Sequence, residues 1–427
     1  MNKREFLKNV SLAAVGLPLI NTSFANTLKT FEHLSPKQIA SEENFWLQVR
    51  KDYSLKPDYI NLESGYYNII PNPTLNHMLA HARMVNYEGS YYMRTVQWDN
   101  KKSMVSKFAR VVGTSDKNLI ITRNTTESLD MVIKGMDWVK GDEAVYAKQD
   151  YGAMQMMFEQ ISKRYGTKNI VVSIPNHPAS DEEIVSIYEN VITPKTKLLM
   201  VCHMINITGH ILPIKKICEM AHRKGVQVMV DGAHCVGHFQ FKIDDLGCDY
   251  YGSSLHKWLA VPLGSGMLYV GDKHIDKLWP VFAEHHREPG DISRLNHIGT
   301  HPVYHDLTIE NAIEYYDMLG AERKESRLRY LQEYWTKKVR NHSNFFRNHS
   351  NIIVNTPNDS HRACGIANVG LKNMTPKELA EKLMNDYNIF TVAINYANVK
   401  GCRISPNVFT IIDELDIFVR ALKELSA

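Results

Sequence analysis

The sequence predicts an α/β protein whose large domain contains a mostly parallel sheet of seven strands and is followed by a smaller C-terminal α+β domain. Two observations lead to this prediction. Between about residues 118 and 270, apolar strand-like runs alternate with stretches of helical period, and past about 305 a long helical segment precedes several short strands. Near-continuous apolar strands separated by helices are typical of a parallel sheet covered on both faces.

The strand-like runs of the large domain are short and mostly apolar, and several are rich in β-branched residues. They are NLIITR (118–123), AVYAK (144–148), NIVVSI (169–174), KLLMVCHM (197–204), VQVMVD (226–231), CDYYGS (248–253) and GMLYVG (266–271). Helical stretches lie between them; one covers 214–221 and ends before Gly225, a residue suited to a helix C-terminus.

The C-terminal region predicts a helical segment over 306–342 and strands at 352–355, 365–371, 389–395 and 402–405. Thr375-Pro376-Lys377-Glu378 is typical of a helix start, with a capping Thr and a Glu three residues later. We therefore divide the chain into a leader (1–25), an N-terminal arm (26–90), a large domain (91–304) and a small domain (305–427).

Residues 1–25 resemble a signal peptide. Lys3, Arg4 and Lys8 precede an uncharged stretch that is too short to span a bilayer, and Ser23-Phe24-Ala25 fits a cleavage site. The Lys-Arg pair is similar to a twin-arginine signal with lysine in place of the first arginine. We expect export, to the periplasm; an amphipathic N-terminal helix is the alternative, and the protein stays cytoplasmic if the leader is not functional.

The composition excludes several classes of function. The 427 residues are 44% hydrophobic and 22% charged, and a net charge of +4 without a basic aromatic run gives no reason to expect nucleic-acid binding. No second hydrophobic span follows the leader, so we expect no membrane segment in the mature form. The six cysteines include no CxxC pair, and the histidines between 285 and 305 do not have the spacing of a ligand set, so we expect no metal site.

Asp231 and Lys257 carry the strongest chemical signal. Each follows a strand-like run, in VDGAH and SSLHKW, and ligands of parallel sheets bind at the carboxyl ends of the strands. Pyridoxal phosphate (PLP) enzymes require a lysine for a Schiff base and a carboxylate for the pyridinium nitrogen. Taken singly, the aspartate is as well explained as a turn residue and the lysine as a solvated side chain.

Two further polar groups follow strands. Asn206 precedes Asp231 by 25 residues and Lys257 follows it by 26, a rhythm of one polar group for each strand–helix unit. Thr125 and Thr126 follow the first strong strand and open a helix, where backbone N–H groups and hydroxyls favour phosphate. Plain helix capping is the alternative for these threonines.

From about Tyr59 to its C-terminus, the sequence resembles the class V aminotransferase family. The strongest segments are RNTTESL, NITGHILPI, VDGAH, SSLHKWLAVPLGSGMLYV, IGTHP and CRISPN. The chain is similar in style to isopenicillin N epimerase-like proteins and cysteine desulfurases. This resemblance implies the PLP-dependent transferase fold type I and PLP as cofactor.

The resemblance also implies roles for individual residues. Lys257 would form the Schiff base and shuttle the Cα proton, while Asp231 would pair with the pyridine nitrogen. The remaining cofactor contacts would come from Asn206 and His234 at the ring hydroxyl, from Tyr151 stacked on the ring, and from Thr125, Thr126, Ser254 and His256 at the phosphate. A core tyrosine is the alternative for Tyr151.

Three residues are assigned at the edges of this site. Arg403 matches the family's substrate-carboxylate arginine, for which a guanidinium fork is suited; a surface strand arginine is the alternative. Arg94 could line the substrate pocket. Thr300 resembles a residue that reaches the phosphate from a neighbouring subunit, so we expect a homodimer.

The reaction is less constrained than the cofactor, because transamination, racemisation and β-elimination all begin with loss of the Cα proton. Cysteine desulfurases need a nucleophilic cysteine before the carboxylate-binding arginine, and residues 395–401 contain none. We therefore expect epimerase-like or transaminase chemistry on an amino acid or related amine, with a PLP-dependent carbon–sulfur lyase as the alternative. An exported protein that binds PLP or a ligand without turnover is an alternative of another class.

Overall fold

The computed structural model describes residues 22–283, 287–345 and 351–427. Its strands are β1 (Ile60–Asn61), β2 (Leu119–Thr122), β3 (Glu143–Ala147), β4 (Lys168–Val172), β5 (Thr196–Cys202), β6 (Gln227–Asp231), β7 (Tyr250–Ser254), β8 (Gly266–Val270), β9 (Ile352–Val354), β10 (Ala367–Leu371), β11 (Ile389–Phe390), β12 (Val392–Tyr396) and β13 (Val399–Ile404).

Helices precede, separate and follow these strands. They are α1 (Thr22–Thr30), α2 (Pro36–Ile39), α3 (Glu43–Arg50), α4 (Asn72–Glu88), α5 (Ser90–Thr95), α6 (Gln97–Val112), α7 (Thr125–Gly135), α8 (Gly152–Tyr165), α9 (Asp181–Glu189), α10 (Ile214–Arg223), α11 (Ile243–Leu246), α12 (Val303–Leu319), α13 (Ala321–Phe345), α14 (Pro376–Tyr387) and α15 (Ile412–Ser426).

The large sheet has seven strands in the order β2-β8-β7-β6-β5-β3-β4. All neighbours pair in parallel except β8, which runs antiparallel to both β2 and β7. The α/β class and the mostly parallel seven-stranded sheet are therefore confirmed. Because β5, β6 and β7 are adjacent and parallel, the chain that follows each of them emerges at one edge of the sheet.

Both faces of the large sheet are covered, because successive side chains of a strand point to opposite sides. Leu199 and Val201 of β5 belong to one buried cluster, and Leu198 and Met200 to the other. This explains why these strands read as continuous apolar runs rather than alternating ones.

The small domain contains an antiparallel sheet in the order β12-β13-β10-β9, covered by α14 and α15. Its helix α14 begins with the expected capping box of Thr375 and Glu378. The N-terminal arm contributes β1, which pairs in parallel with β11. The arm therefore packs against the small domain as well as the large one.

The continuous helix expected over 306–342 is two helices. The chain breaks at Gly320, whose φ of +86° lies in the left-handed region that glycine adopts without strain. The first helix, α12, packs against α4 and α6 and contributes Ile309 and Ile313 to the core of the large sheet. The domain boundaries at 25, 90 and 304 stay predictions.

Residues 1–21 of the expected leader lie outside the described residues. The rest of it lies in α1, where Phe24 is buried and packs against Phe45 with ring centroids 6.1 Å apart. Within the described ranges, no helix combines the length and apolar character needed to cross a bilayer.

Candidate active site

A cavity of about 300 Å³ opens at the carboxyl ends of the parallel strands. Ten of the site residues identified from the sequence line it: Thr125, Thr126, Tyr151, Asn206, Asp231, His234, Ser254, His256, Lys257 and Arg403. Asp231 ends β6 and Ser254 ends β7, and Lys257 follows three residues later. The fold thus brings together groups from the large domain and, in Arg403, from the small-domain strand β13.

Arg94 and Thr300 lie elsewhere. Both line a second cavity, together with Trp98 and Lys101, that has no lining residue in common with the first. Within one chain, Arg94 is therefore not part of the cavity that contains Lys257. Arg94 lies on α5, and its neighbour Met93 also lines the second cavity. The role expected for Thr300 involves a neighbouring subunit and stays a prediction.

Asp231 presents a buried carboxylate to the cavity. Its side chain accepts a hydrogen bond from the Ala233 N–H (2.9 Å), and no other described group bonds to it. Burial raises the pKa of Asp231, while that hydrogen bond and the charge of Lys257 oppose the increase. Glycine is required at 232, because a Cβ there would lie 2.1 Å from the Tyr251 ring. An unneutralised carboxylate in this position favours a cationic or proton-bearing ligand group.

Lys257 is held by a short relay of hydrogen bonds. Its Nζ lies 3.0 Å from Nε2 of His234, and Nδ1 of His234 accepts from the indole N–H of Trp258 at 3.3 Å. An indole N–H can only donate, so Nδ1 is an acceptor and a neutral His234 carries its proton on Nε2. This proton must be donated to Lys257, which requires the lone pair of an uncharged amine.

The electrostatics of the cavity make the uncharged amine of Lys257 more accessible near neutral pH and keep His234 neutral. Burial lowers the pKa of Lys257 to about 8, and Asp231 opposes this shift while Arg403 adds to it. Burial, together with the charge of Lys257, holds the pKa of His234 well below its ordinary value. An amine with a pKa near neutrality is the form that attacks a carbonyl and exchanges protons at working pH.

The first turn of α7 supplies the anion-binding end of the cavity. Thr125 donates its N–H to Ser254 Oγ (3.0 Å), and the two hydroxyls lie 2.7 Å apart. Asn124 caps the helix by accepting from the Glu127 N–H (2.9 Å). Among the described residues, no group bonds to the N–H or hydroxyl of Thr126, so both remain for a ligand at the positive end of the helix dipole.

Tyr151 lies at the wall of the cavity and is not a core tyrosine, which was the alternative prediction from the sequence. It precedes α8, lines the cavity and is 46% exposed. An aromatic ring this accessible at the cavity wall can stack on a planar ligand.

Arg403 is buried, so it is not the surface strand arginine that was the alternative prediction from the sequence. Its guanidinium pairs with Glu63, a residue that sequence reasoning missed together with Gly65 and Tyr66 beside it. These residues come from the N-terminal arm, and Glu63 lies 340 positions before Arg403. The only local signal was an acid and a glycine just after a short apolar run, which is too common to single out a site.

No cysteine is placed as a nucleophile. All six are buried and free of disulfide bonds. Cys202 is the one that lines the cavity, and burial beside Asp150 and Asp231 raises the pKa of its thiol well above the ordinary range. Residues 395–401, where a desulfurase would carry a reactive cysteine, form the paired ends of β12 and β13 and the two-residue turn (397–398) between them. Among the described residues, no group of three or more His, Cys, Asp and Glu side chains forms a metal site.

Comparison with known proteins decides the family. The family model described as Aminotransferase class-V matches residues 85–394, which is more than half of the chain. The chain belongs to the class V aminotransferase family. Its members are PLP-dependent, so this protein is a class V PLP-dependent enzyme.

Individual class V relatives differ in their reactions. An isopenicillin N epimerase of Streptomyces clavuligerus is 24% identical over 402 residues, covering 89% of this chain and 98% of its own. A probable cysteine desulfurase of Halalkalibacterium halodurans is 30% identical over 199 residues, covering 46% and 48%. A solved structure of the cystine C–S lyase C-DES, with glycine covalently linked to its PLP, has a TM-score of 0.77 at 18% identity and covers 87% of this chain and 98% of its own. This last likeness confirms the fold type and leaves the reaction open.

The class V cavity fits PLP by its own chemistry. The amine with a lowered pKa suits the aldehyde of the cofactor, and the buried carboxylate, with one hydrogen bond from the described chain, suits the pyridinium. The helix N-terminus, where the N–H and hydroxyl of Thr126 lack partners in the described chain, suits the phosphate. The residues that would hold these groups are Lys257, Asp231, and Thr125 with Thr126.

Proposed function

We propose that this protein catalyses epimerase-like or transaminase chemistry at the Cα of an amino acid or related amine. The observation that carries the proposal is the convergence of Lys257, Asp231 and Arg403 on one cavity that contains no activated thiol. PLP, when bound, supplies an electron sink that acidifies the Cα–H bond. The residues of the chain then decide which proton transfers follow.

Lys257 is the proposed acid–base group at Cα. A pKa of about 8 lets the amine accept a proton and return it near neutral pH. His234 would orient Nζ through the 3.0 Å contact and, being neutral, would not compete for the proton. Asp231 would keep the pyridine nitrogen protonated; a charge-assisted hydrogen bond of this kind contributes about 1.5–3 kcal/mol.

The test is proton exchange in deuterated solvent. Purified protein with PLP is incubated with a panel of L- and D-amino acids, and Cα deuterium, keto acid and enantiomeric composition are measured. We expect deuterium at Cα for at least one substrate, with inversion in an epimerase or keto acid in a transaminase. Lys257→Ala should abolish exchange, and Lys338→Ala, at a surface pair with Asp416, is the matched control. Bound PLP without exchange for any amino acid would instead favour a non-catalytic binding protein.

A PLP-dependent carbon–sulfur lyase is the second candidate, because the fold resembles that of the cystine C–S lyase C-DES. Such a lyase eliminates a Cβ substituent and needs no cysteine nucleophile. The buried thiols of Cys202, Cys364 and Cys402 argue against a desulfurase but not against this lyase. Release of sulfide and pyruvate from cysteine or of persulfide from cystine, without inversion or transamination, would select it.

We further propose that the protein works as a homodimer. Thr300 lies outside the Lys257 cavity of its own chain, as a residue donated to a neighbouring subunit would. Tyr66 and Leu263, which line the cavity, are 73% and 53% exposed, so its mouth has apolar surface for a partner to cover. Sedimentation equilibrium of the uncleaved chain, whose mass is 49.0 kDa, should give twice that mass; a monomer at micromolar concentration would contradict the proposal.

Export is proposed from the leader alone. N-terminal sequencing of protein recovered from the periplasm should begin after Ala25. An intact N-terminus in the cytoplasm would contradict it and would fit the burial of Phe24.

A further inference from the structure

Glu63 forms an ion pair with Arg403, the residue that is expected to bind the substrate carboxylate. The residue lies two positions beyond β1, where the arm runs parallel to the end of β13 through a bridge between Glu63 and Ser405. The backbone on either side is fixed: Glu63 donates its N–H to Asn61 Oδ1 (3.0 Å), and Ser64 donates its N–H to the Ser405 carbonyl (3.1 Å). Glu63 is therefore presented to Arg403 by regular structure and not by a loose loop.

The carboxylate of Glu63 accepts four hydrogen bonds. Arg403 donates Nε–H to Oε2 (3.0 Å) and Nη2–H to Oε1 (2.6 Å), in a side-on fork. The Tyr66 N–H donates to Oε1 (2.8 Å) and the Ser405 hydroxyl to Oε2 (3.4 Å). The two charged side chains are 3% and 7% exposed. A carboxylate satisfied in this way is a permanent partner of the guanidinium.

Within the described chain, Arg403 has three of its five N–H donors engaged, two with Glu63 and one with a backbone carbonyl. Its Nη1 donates to the Asn206 carbonyl at 3.3 Å, and a Cβ at Gly65 would lie 3.2 Å from Cζ, so backbone covers the pair. Arg403 lines the cavity and, within the described chain, Glu63 does not. A substrate carboxylate would thus meet an arginine whose charge Glu63 already compensates, and would gain less from it than from an unpaired guanidinium.

We propose that Glu63 determines specificity by neutralising Arg403, so that the site accepts amines whose carboxyl group is uncharged, such as α-amino amides, about as well as free amino acids. This inference rests on the proposed function in that it takes an amine as the substrate of the same cavity. It concerns recognition and is independent of which reaction follows.

The test compares L-alanine with L-alaninamide on the PLP-bound protein, with binding measured from the change in the visible absorption of the cofactor. In the wild type, we expect the two affinities to lie within about tenfold of each other. Glu63→Gln removes the charge at constant shape, and we expect it to shift the ratio toward alanine by at least about tenfold. Differences in amine pKa cancel when the ratios of two variants are compared.

Glu414→Gln is the matched control, because Glu414 forms a similar fork with Arg50 (2.8 and 3.0 Å) away from the cavity; its ratio should equal that of the wild type. Wild-type preference for alanine above about tenfold, or an unchanged ratio in Glu63→Gln that still binds PLP, would overturn the inference. If neither amine binds, the proposed function fails. The inference is then tested separately, by measuring the affinity of the wild type and of Glu63→Gln for propionate by calorimetry. Glu63→Gln should bind propionate at least about tenfold more tightly, and equal affinity refutes it. If Glu63→Gln does not fold, the wild-type comparison decides.

Discussion

Replacing Arg403 should lower the free energy of unfolding of the protein, independently of any effect on substrate binding. Arg403→Leu leaves Glu63, which is 3% exposed, without its cation. Removing one partner of a buried ion pair costs about 3–5 kcal/mol, since the remaining charge stays desolvated. The donors from Tyr66 and Ser405 remain and keep the loss toward the lower end of this range.

The double variant separates lost charge from lost packing. Adding Glu63→Gln to Arg403→Leu replaces a buried carboxylate by an amide, which is less costly to bury. We expect the double variant to be more stable than Arg403→Leu by at least about 1 kcal/mol. Arg50→Leu breaks a pair whose side chains are 28% and 17% exposed, together with a bond to the Phe409 carbonyl, and should cost less than Arg403→Leu because water reaches both charges.

Urea unfolding of the PLP-free protein gives these differences, because cofactor linkage, which depends on the Kd of each variant, is then absent. The reasoning is refuted if Arg403→Leu is as stable as Arg50→Leu, or if Glu63→Gln makes the Arg403→Leu protein less stable still. Either result would mean that the two side chains do not form a buried, mutually dependent pair.

Two further predictions concern the cofactor site. Burial lowers the pKa of Lys257 from 10.5 to about 8, so the unfolded chain binds more protons than the folded chain between these pH values. The stability of the cofactor-free wild type, relative to that of Lys257→Met, should therefore rise as the pH increases from about 8 to 10.5. Urea unfolding at a series of pH values measures this difference in stability, and a difference that does not change with pH contradicts the prediction. Tyr151→Ala should weaken PLP binding by a factor corresponding to about 0.5–1.5 kcal/mol, while Tyr151→Phe retains wild-type affinity, because the ring and not the hydroxyl would stack on the cofactor. Fluorescence titration with PLP measures both, and equal losses in the two variants would remove the stacking role.

The large sheet could be predicted from the sequence because its strands are buried on both faces. Runs such as KLLMVCHM and VQVMVD are distinct from the surrounding amphipathic helices, and β5 and β6 were placed to within about two residues. The same local logic located Asp231 and Lys257, since a polar residue directly after a buried parallel strand must emerge at the carboxyl edge of the sheet.

Features that depend on long-range contacts could not be predicted in this way. The Glu63–Arg403 pair joins residues 340 positions apart, and nothing in the local sequence of the arm specifies its partner. The break at Gly320 was missed because apolar residues continue with helical spacing on both sides of it. Arg94 lines a different cavity of its own chain, because the residue type alone does not indicate which cavity its helix faces.

The central claim is that Lys257 is the amine that binds the cofactor. Reduction of the PLP-loaded protein with borohydride, followed by proteolysis and mass spectrometry, tests it directly. We predict that the reduced cofactor is attached to Lys257. Attachment to Lys324, another buried lysine whose pKa burial lowers, to about 7, or to no lysine at all would contradict the account.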